Sequence, residues 1–405
     1  FSSTNFKKAL AINSNQPEIY YNLGLSFHHN GNFCSALNSY KKALEIQPHY
    51  EECYCNMGMS LIELDDFKGA VSCFKKTLET NPLHVGAYHN LGKVYGKMGE
   101  INLAILNYKK AIELDPTFWK AYVSLGIMFS ENKKIRLSIM YLQNALNFGL
   151  SNPEIYFNQA LNYYRLCNLE EASYYFKKCV EFDPDNQTAL HFYNSLIGRN
   201  TKTAPKTYVK NLFDDYAKNF EHSLIDKLNY KVPKIIRNLI KNKSPKCSGS
   251  ILDLGCGTGL VGAELIRYFK YLEGVDISDS MVELSKKKKI YNKLNVSDIT
   301  EYLKSNILNF DYIIAADVFV YLGKLDDIFN LIKKRNNKTG NLIFSTEYFD
   351  GEGYKLQKSG RYAHSNNYII SLCNKFKFSI INFKKIKLRK ENNSYISGAL
   401  YDLKF

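Results

Sequence analysis

Apolar and small positions recur every 34 residues through the first half of the chain. Tyr20, Tyr54, Tyr88, Tyr122 and Tyr156 mark the period, and four residues beyond each stands Gly24, Gly58, Gly92, Gly126 or Ala160. Ala36, Ala70, Ala104, Ser138 and Ala172 follow in register, then Tyr40, Phe74, Tyr108, Leu142 and Phe176. Pro48, Pro82, Pro116 and Pro184 close four of the five units. The spacing predicts five helix–turn–helix units over residues 17–186, with small residues where the two helices of each unit cross. Phe6 and Ala9 occupy second-helix positions of an earlier unit, so residues 1–16 read as half a repeat. With no initiating Met, the chain reads as part of a longer array. Leu150 stands where the fourth unit would carry Pro, between Gly149 and Pro153, and predicts an altered turn there. Residues 187–197 read as a capping helix and 198–205, rich in Thr, Lys and Asn, as a linker.

The pattern changes after residue 205. Ile251-Leu-Asp-Leu-Gly-Cys-Gly-Thr-Gly259 is an apolar run ending in a glycine-rich turn, and the segment behind it has helical periodicity. A second apolar run, Tyr271-Leu-Glu-Gly-Val, ends on Asp276. A strand–turn–helix–strand unit with an acid at its second strand tip suits a nucleoside in a doubly wound sheet. Glycine lets the backbone approach a ligand and accepts positive φ. Asp276 can accept from both ribose hydroxyls. The third glycine, Gly259, falls one place early for a dinucleotide turn. Asp253 would repel a pyrophosphate but could pair with a cationic amino-acid group. The ligand implied is a nucleoside bearing an amino acid, which S-adenosylmethionine satisfies.

These motifs resemble those of class I S-adenosylmethionine-dependent methyltransferases. Val275-Asp276-Ile277-Ser278 is similar to the second motif of that family, and Ser297-Asp298-Ile299 to the third, whose acid meets the adenine amino group. Phe310 to Val318 is similar to the fourth strand, which opens on the active site. Leu342–Ser345, Phe378–Phe383 and Tyr395–Leu403 would be strands five to seven. The 34-residue unit resembles the tetratricopeptide repeat. Phe213–Phe220, Asp317–Gly323 and Ser359–Ser365 are worded like a group of methyltransferases that carry such repeats before the catalytic domain. The resemblance implies an all-α tetratricopeptide solenoid followed by an α/β, Rossmann-like, seven-stranded methyltransferase domain over 206–405.

Composition adds less. No stretch approaches ~20 uninterrupted apolar residues, so no membrane span is predicted. The nine cysteines form no Cys-x-x-Cys pair and no Cys/His cluster at zinc spacing, so they read as buried thiols of a reducing compartment, with no metal site. A cytoplasmic protein is implied. Residues 1–200 carry 19 Lys and Arg against 18 Asp and Glu, a net of +1, whereas 201–405 carry 35 against 21, a net of +14. The basic half fits an anionic acceptor such as RNA. It equally fits a Lys- and Asn-rich composition with solvated helix ends at Lys286–Lys289 and a strand face at Lys384–Lys390.

The cofactor-facing set is therefore Asp253, Gly255, Gly257, Gly259, Asp276, Ile277 and Asp298, with Ile277 placed against the adenine. Tyr216 and Phe220, on an amphipathic helix before the core, read either as a lid over the cofactor or as core packing. Asp276 and Asp298 could instead be a helix cap and a loop acid. The catalytic candidates are Asp317, at the end of the fourth strand, and Arg361 and His364, in a polar loop after the fifth. His364 suits a general base and Arg361 a carboxylate ligand, although both could simply satisfy loop hydrogen bonds. The amino-methylating pattern Asp/Asn-Pro-Pro-aromatic is absent after the fourth strand. In the repeats, Asn22, Asn56, Asn90 and Asn158 share one register, where an amide can bond a peptide backbone through both its donor and its acceptor. A protein or peptide partner is implied. The acceptor expected is a small-molecule or protein carboxylate or hydroxyl; RNA methylation and a non-catalytic cofactor-binding scaffold are the alternatives.

Overall fold

The computed structural model describes residues 15–148, 152–217, 220–243, 249–391 and 394–405. The half repeat at 1–16, down to residue 14, and the altered turn at Gly149 and Leu150 lie outside them. Contacts divide the chain into two compact units, 1–183 and 184–405.

Ten helices make up the described part of the first unit. They are α1 (Pro17–His29), α2 (Phe33–Ile46), α3 (Glu51–Glu63), α4 (Phe67–Thr80), α5 (Val85–Lys97), α6 (Ile101–Leu114), α7 (Trp119–Glu131), α8 (Ile135–Phe148), α9 (Pro153–Arg165) and α10 (Leu169–Phe182). They pair in sequence, as the 34-residue period predicts. The period exists because the pairs cross closely, in four of them too closely for a side chain: a Cβ on Gly58 would lie 2.8 Å from the Phe74 ring, and one on Gly92 2.6 Å from Tyr108, whereas the fifth pair admits Ala160. Asn32, Asp66 and Asn168 start the second helix of their pairs by accepting the backbone N–H three residues on, which satisfies a helix-end donor.

The second unit opens with α11 (Gln187–Leu196), the helix that the repeat phase gives as a cap. His191 Nε2 meets the Gly360 carbonyl at 2.8 Å, and the ring sits among Phe192, Tyr208 and Tyr362. The segment expected as a linker is also tied down. Asn200 exchanges bonds with the backbone of Tyr354 and Leu356, and Ala204 N donates to the Tyr321 carbonyl at 2.9 Å. Part of its polar composition goes to sheet-edge hydrogen bonds, although Arg199, Lys202 and Thr203 stay exposed.

Beyond it come α12 (Lys206–Tyr216), a π-helical turn (His222–Lys227) and α13 (Val232–Lys243), then an alternating α/β run. That run contains β1 (Ser250–Leu254), α14 (Leu260–Leu265), β2 (Tyr271–Asp276), α15 (Asp279–Lys287), β3 (Lys293–Val296), α16 (Ile299–Ser305), β4 (Tyr312–Ala315), α17 (Asp326–Arg335) and β5 (Asn341–Tyr348). The chain ends with β6 (Tyr354–Leu356), β7 (Tyr362–His364), α18 (Asn366–Phe376), β8 (Ser379–Glu391) and β9 (Ser394–Lys404). Among the described residues the sheet has nine strands. Its order runs β3-β2-β1-β4-β5, with β9 antiparallel on β5 and β8 on β9. These seven are the expected strands; β6 and β7 form an added hairpin, with β7 parallel to the last residues of β5. Strands β1, β4 and β5 carry the apolar runs Ile251-Leu252, Ile313-Ile314-Ala315 and Leu342-Ile343-Phe344, buried because both faces of the sheet are covered there. Leu303, Phe329 and Leu372 pack from α16, α17 and α18 in one core, and Ile236, Ile240 and Leu265 pack from α13 and α14 in the other.

Candidate functional site

Parallel strands end together, so the turns after β3, β2, β1 and β4 line one edge of the sheet in that order. After β1 the chain reverses through Gly255, Gly257 and Gly259, at φ of 68°, 53° and 87°. Gly255 N and Cys256 N both donate to the Val275 carbonyl. A Cβ on Gly255 would lie 2.3 Å from Val318, whereas one on Gly257 would find only the Phe220 ring, at 3.8 Å. Asp276, at the tip of β2, is 7% exposed, and burial raises its pKa. Its Oδ2 accepts Gly257 N at 2.8 Å and its Oδ1 accepts Ser278 N at 2.9 Å, leaving each oxygen a further lone pair.

Gly255, Gly257, Asp276, Ile277 and Asp298 face a cavity of about 600 Å³. Asp298 caps α16 through Thr300 N and Glu301 N and pairs with Lys206 at 3.1 Å. Phe213, Tyr216 and Phe220 contribute aromatic wall. The structure does not bring Asp253 and Gly259 to this wall. Asp253 is buried, with Oδ2 accepting the Tyr291 hydroxyl at 2.6 Å and Oδ1 without a partner. Burial pushes its carboxyl up to about 7. Gly259 starts α14, where a Cβ would meet Ser285 and Tyr291.

The same cavity reaches the residues beyond β4. Asp317 has φ 57°, a left-handed conformation that costs a non-glycine residue about 1 kcal/mol or more and tends to mark functional sites. Ser345 holds it there: Asp317 N donates to Ser345 Oγ at 2.8 Å, and Ser345 Oγ donates to Oδ1 at 2.6 Å. Arg389 pairs with Oδ2 at 3.1 Å. Arg361 lines the cavity too, bonded through Nε to Glu347 at 2.7 Å and through Nη2 to Glu391.

The structure corrects the place of His364. It lies in β7 rather than in a polar loop, is fully buried and lies off the cavity wall. Nδ1 meets Thr346 Oγ1 at 2.6 Å and Nε2 meets the Gly323 carbonyl at 3.0 Å. Burial lowers its pKa to about 4. With both nitrogens occupied and no path to the cavity, it is a sheet-packing residue.

Residues 246–389 match the methyltransferase domain family. Residues 2–31, 17–50, 51–82, 85–118 and 153–186 match tetratricopeptide repeat families. The chain carries tetratricopeptide repeats followed by a methyltransferase domain. S-adenosylmethionine is the cofactor that such a domain indicates. An uncharacterized methyltransferase of Schizosaccharomyces pombe is 23% identical over 184 residues, 40% of this chain and 63% of that one. Ribosomal RNA small subunit methyltransferase C of Actinobacillus pleuropneumoniae is 29% identical over 144 residues, 34% of this chain and 43% of that protein. Malonyl-acyl-carrier-protein O-methyltransferase of Bacillus cereus is 27% identical over 146 residues, 35% and 53%. The chain thus spans less than two thirds of each relative.

Arg389 is the residue of the methyltransferase domain that sequence reasoning missed, hidden in a lysine-rich stretch that reads as a solvated strand face. Lys387 pairs with Ser397 and Lys390 with Tyr395, so β8 holds one residue more than β9 between them. This bulge turns Arg389 inward beside the buried Leu388. The two adjacent buried positions break the two-residue alternation, but Ile386 and Leu388 alternate normally in the sequence, so nothing there signalled it. Glu347 was missed because it lies past the apolar run Leu342–Phe344, in the polar end of β5, where a strand-end acid reads as exposed.

In the repeats, three of the four asparagines are already hydrogen-bonded. Asn56 Nδ2 donates to the Tyr21 hydroxyl at 3.0 Å and the Glu52 carbonyl at 2.9 Å, Asn90 Nδ2 to Cys55 Sγ at 3.8 Å, and Asn158 Nδ2 to the Glu154 carbonyl at 2.9 Å. Asn22 is exposed. Two of these bonds bridge successive repeats.

Proposed function

We propose that the protein transfers a methyl group from S-adenosylmethionine to oxygen, on a hydroxyl or carboxylate acceptor, and that its repeats hold a protein or peptide partner. The observation that carries this reading is one cavity lined both by the glycine turn with Asp276 and by Asp317, Arg361 and Arg389. S-adenosylmethionine supplies a methyl group activated by attachment to a sulfonium centre. The cavity suits a nucleoside bearing an amino acid: open space stands over Gly257, and the Asp276 carboxylate is held with free lone pairs. In this reading Asp276 takes the ribose hydroxyls, Ile277 packs on the adenine and Asp298 receives its amino group. Tyr216 and Phe220 keep water out, while Asp317 and Arg361 orient the acceptor. Residues 315–319 read Ala-Ala-Asp-Val-Phe, which supports oxygen over an amino acceptor.

The relatives support two acceptors. The malonyl-acyl-carrier-protein O-methyltransferase supports an oxygen acceptor, and the ribosomal RNA enzyme, together with the +14 charge of residues 201–405, supports RNA. Titration with S-adenosylmethionine, then incubation of the full chain with methyl-labelled cofactor and cell extract, separates the readings. Label that survives ribonuclease supports the proposal, label lost to ribonuclease supports RNA, and binding without labelling supports the scaffold.

A further inference from the structure

Two guanidiniums and three carboxylates meet at the acceptor side of the cavity, and both guanidiniums are already claimed; Lys202 and Lys324, which also line the cavity, are exposed to solvent. Glu347, 1% exposed, accepts from Arg361 Nε at 2.7 Å and from Arg389 Nη2 at 2.6 Å through the same oxygen. Asp317 takes Arg389 Nη1, and Glu391 takes Arg361 Nη2. The other oxygen of Glu347 is buried with no hydrogen-bond partner. Counting Arg361, Arg389, Asp317, Glu347 and Glu391, the formal charge is one negative in excess. Glu391, the most exposed of the five, is also the best screened, so the buried core of the cluster is close to neutral.

We infer that the acceptor group is an uncharged hydroxyl on an apolar body, and that Asp317 binds it and takes its proton. This rests on the methyltransferase reading above. A carboxylate docked here would be a further buried anion with no free guanidinium to pair with, and desolvated charges without partners are disfavoured. A hydroxyl meets no such penalty. It donates to Asp317, whose two oxygens each keep a lone pair beyond the bonds from Ser345 and Arg389. Tyr230, Tyr321 and Phe213 line the cavity as apolar wall for the rest of the acceptor. In the reaction the acceptor oxygen forms a bond to the methyl carbon as its O–H bond breaks. The proton passes to the Asp317 carboxylate and then to solvent, and the S–C bonding pair of the donor remains on sulfur, cancelling its positive charge. The bulge at Leu388 and Arg389 has a definite part: it delivers the guanidinium that pairs with Asp317 and Glu347 while leaving the cluster without spare positive charge.

The test reads the bond formed. The full chain is incubated with methyl-labelled S-adenosylmethionine and cell extract, and the labelled product is treated with mild alkali. A methyl ether is stable and non-basic, a methyl ester releases labelled methanol, and a methylated amine is retained on a cation exchanger. Stable, non-basic label is the expected result. Methanol release, or label on an amine, overturns the hydroxyl assignment while leaving the methyltransferase reading intact. Cofactor binding with no label in any fraction overturns both, and so does a failure to bind cofactor. Asp317→Asn is expected to keep cofactor affinity within about twofold and to lower transfer by about 100-fold or more, the usual scale of a general base. Unchanged transfer by a folded Asp317→Asn protein overturns the role of Asp317.

Discussion

The Asp276 carboxylate accepts the Gly257 amide at 2.8 Å, and this bond ties the tip of β2 to the glycine turn after β1. Two segments 19 residues apart thereby form one wall, and the acid is oriented before any ligand arrives.

Replacing Asp276 by Ala removes that wall and the proposed ribose acceptor together. Affinity for S-adenosylmethionine is expected to fall by roughly 1–3 kcal/mol, the cost of leaving buried hydroxyls without a charged partner. Isothermal titration of the full chain measures it, and an unchanged affinity would remove Asp276 from the site.

Gly255 and Gly257 should respond differently to alanine. Both have positive φ, which costs a side chain about 1–2 kcal/mol. At Gly255 the new Cβ also runs into Val318 at 2.3 Å, so Gly255→Ala should lower both melting temperature and cofactor affinity. At Gly257 the Cβ points into open cavity, so Gly257→Ala should melt only a few degrees lower yet lose most of its affinity. Thermal melts with and without cofactor distinguish the two; equal losses would mean the turn, not the cavity, sets the effect.

His364 gives the methyltransferase domain an acid sensitivity. Burial holds its pKa near 4, below the 6.5 of an exposed imidazole, so the unfolded chain binds more protons between those values. Its contribution is intact above about pH 6.5 and is lost as pH falls towards 4, by at most about 3 kcal/mol. Asp253, raised to about 7, acts in the opposite direction over part of this range, and His89 in the repeats acts in the same direction. The comparison is therefore between the wild type and His364→Gln. Urea unfolding at pH 7 and pH 5 should show a smaller loss in the variant, and equal losses would remove His364 as a source.

Asn56 and Asn158 occupy the same register but have different work. Asn56 reaches the Tyr21 hydroxyl of the preceding repeat, whereas Asn158 bonds only its own helix. Asn56→Ala should therefore destabilise the array by about 1 kcal/mol and Asn158→Ala by much less. A loss of partner binding in Asn158→Ala without loss of stability would mark that register as a binding surface. A binding loss confined to Asn56→Ala would trace to stability instead.

The sequence by itself determined the repeat length, where seven of the strands lie along the chain and the acid at the tip of β2. Those depend on local rules: glycine where helices or backbone crowd, unbroken apolar runs where a strand is covered on both faces, and an acid or amide where a helix begins. Gly58 against Phe74 and Asp276 beside Gly257 are legible because the residue type is dictated at its own position. Only the tertiary structure decided what lies around the acceptor side of the cavity. His364 looked like a base because histidine in a polar-looking stretch is ambiguous until its burial is known, and the β6–β7 hairpin supplies that burial. Arg389 looked like one more surface cation, and a single extra residue in β8 turned it inward. Asp253 and Asp276 are both acids at strand ends. What separates them is which one faces the cavity, and that follows from packing against Tyr291, 38 residues away. Such choices rest on contacts between segments far apart in sequence, so no local pattern encodes them.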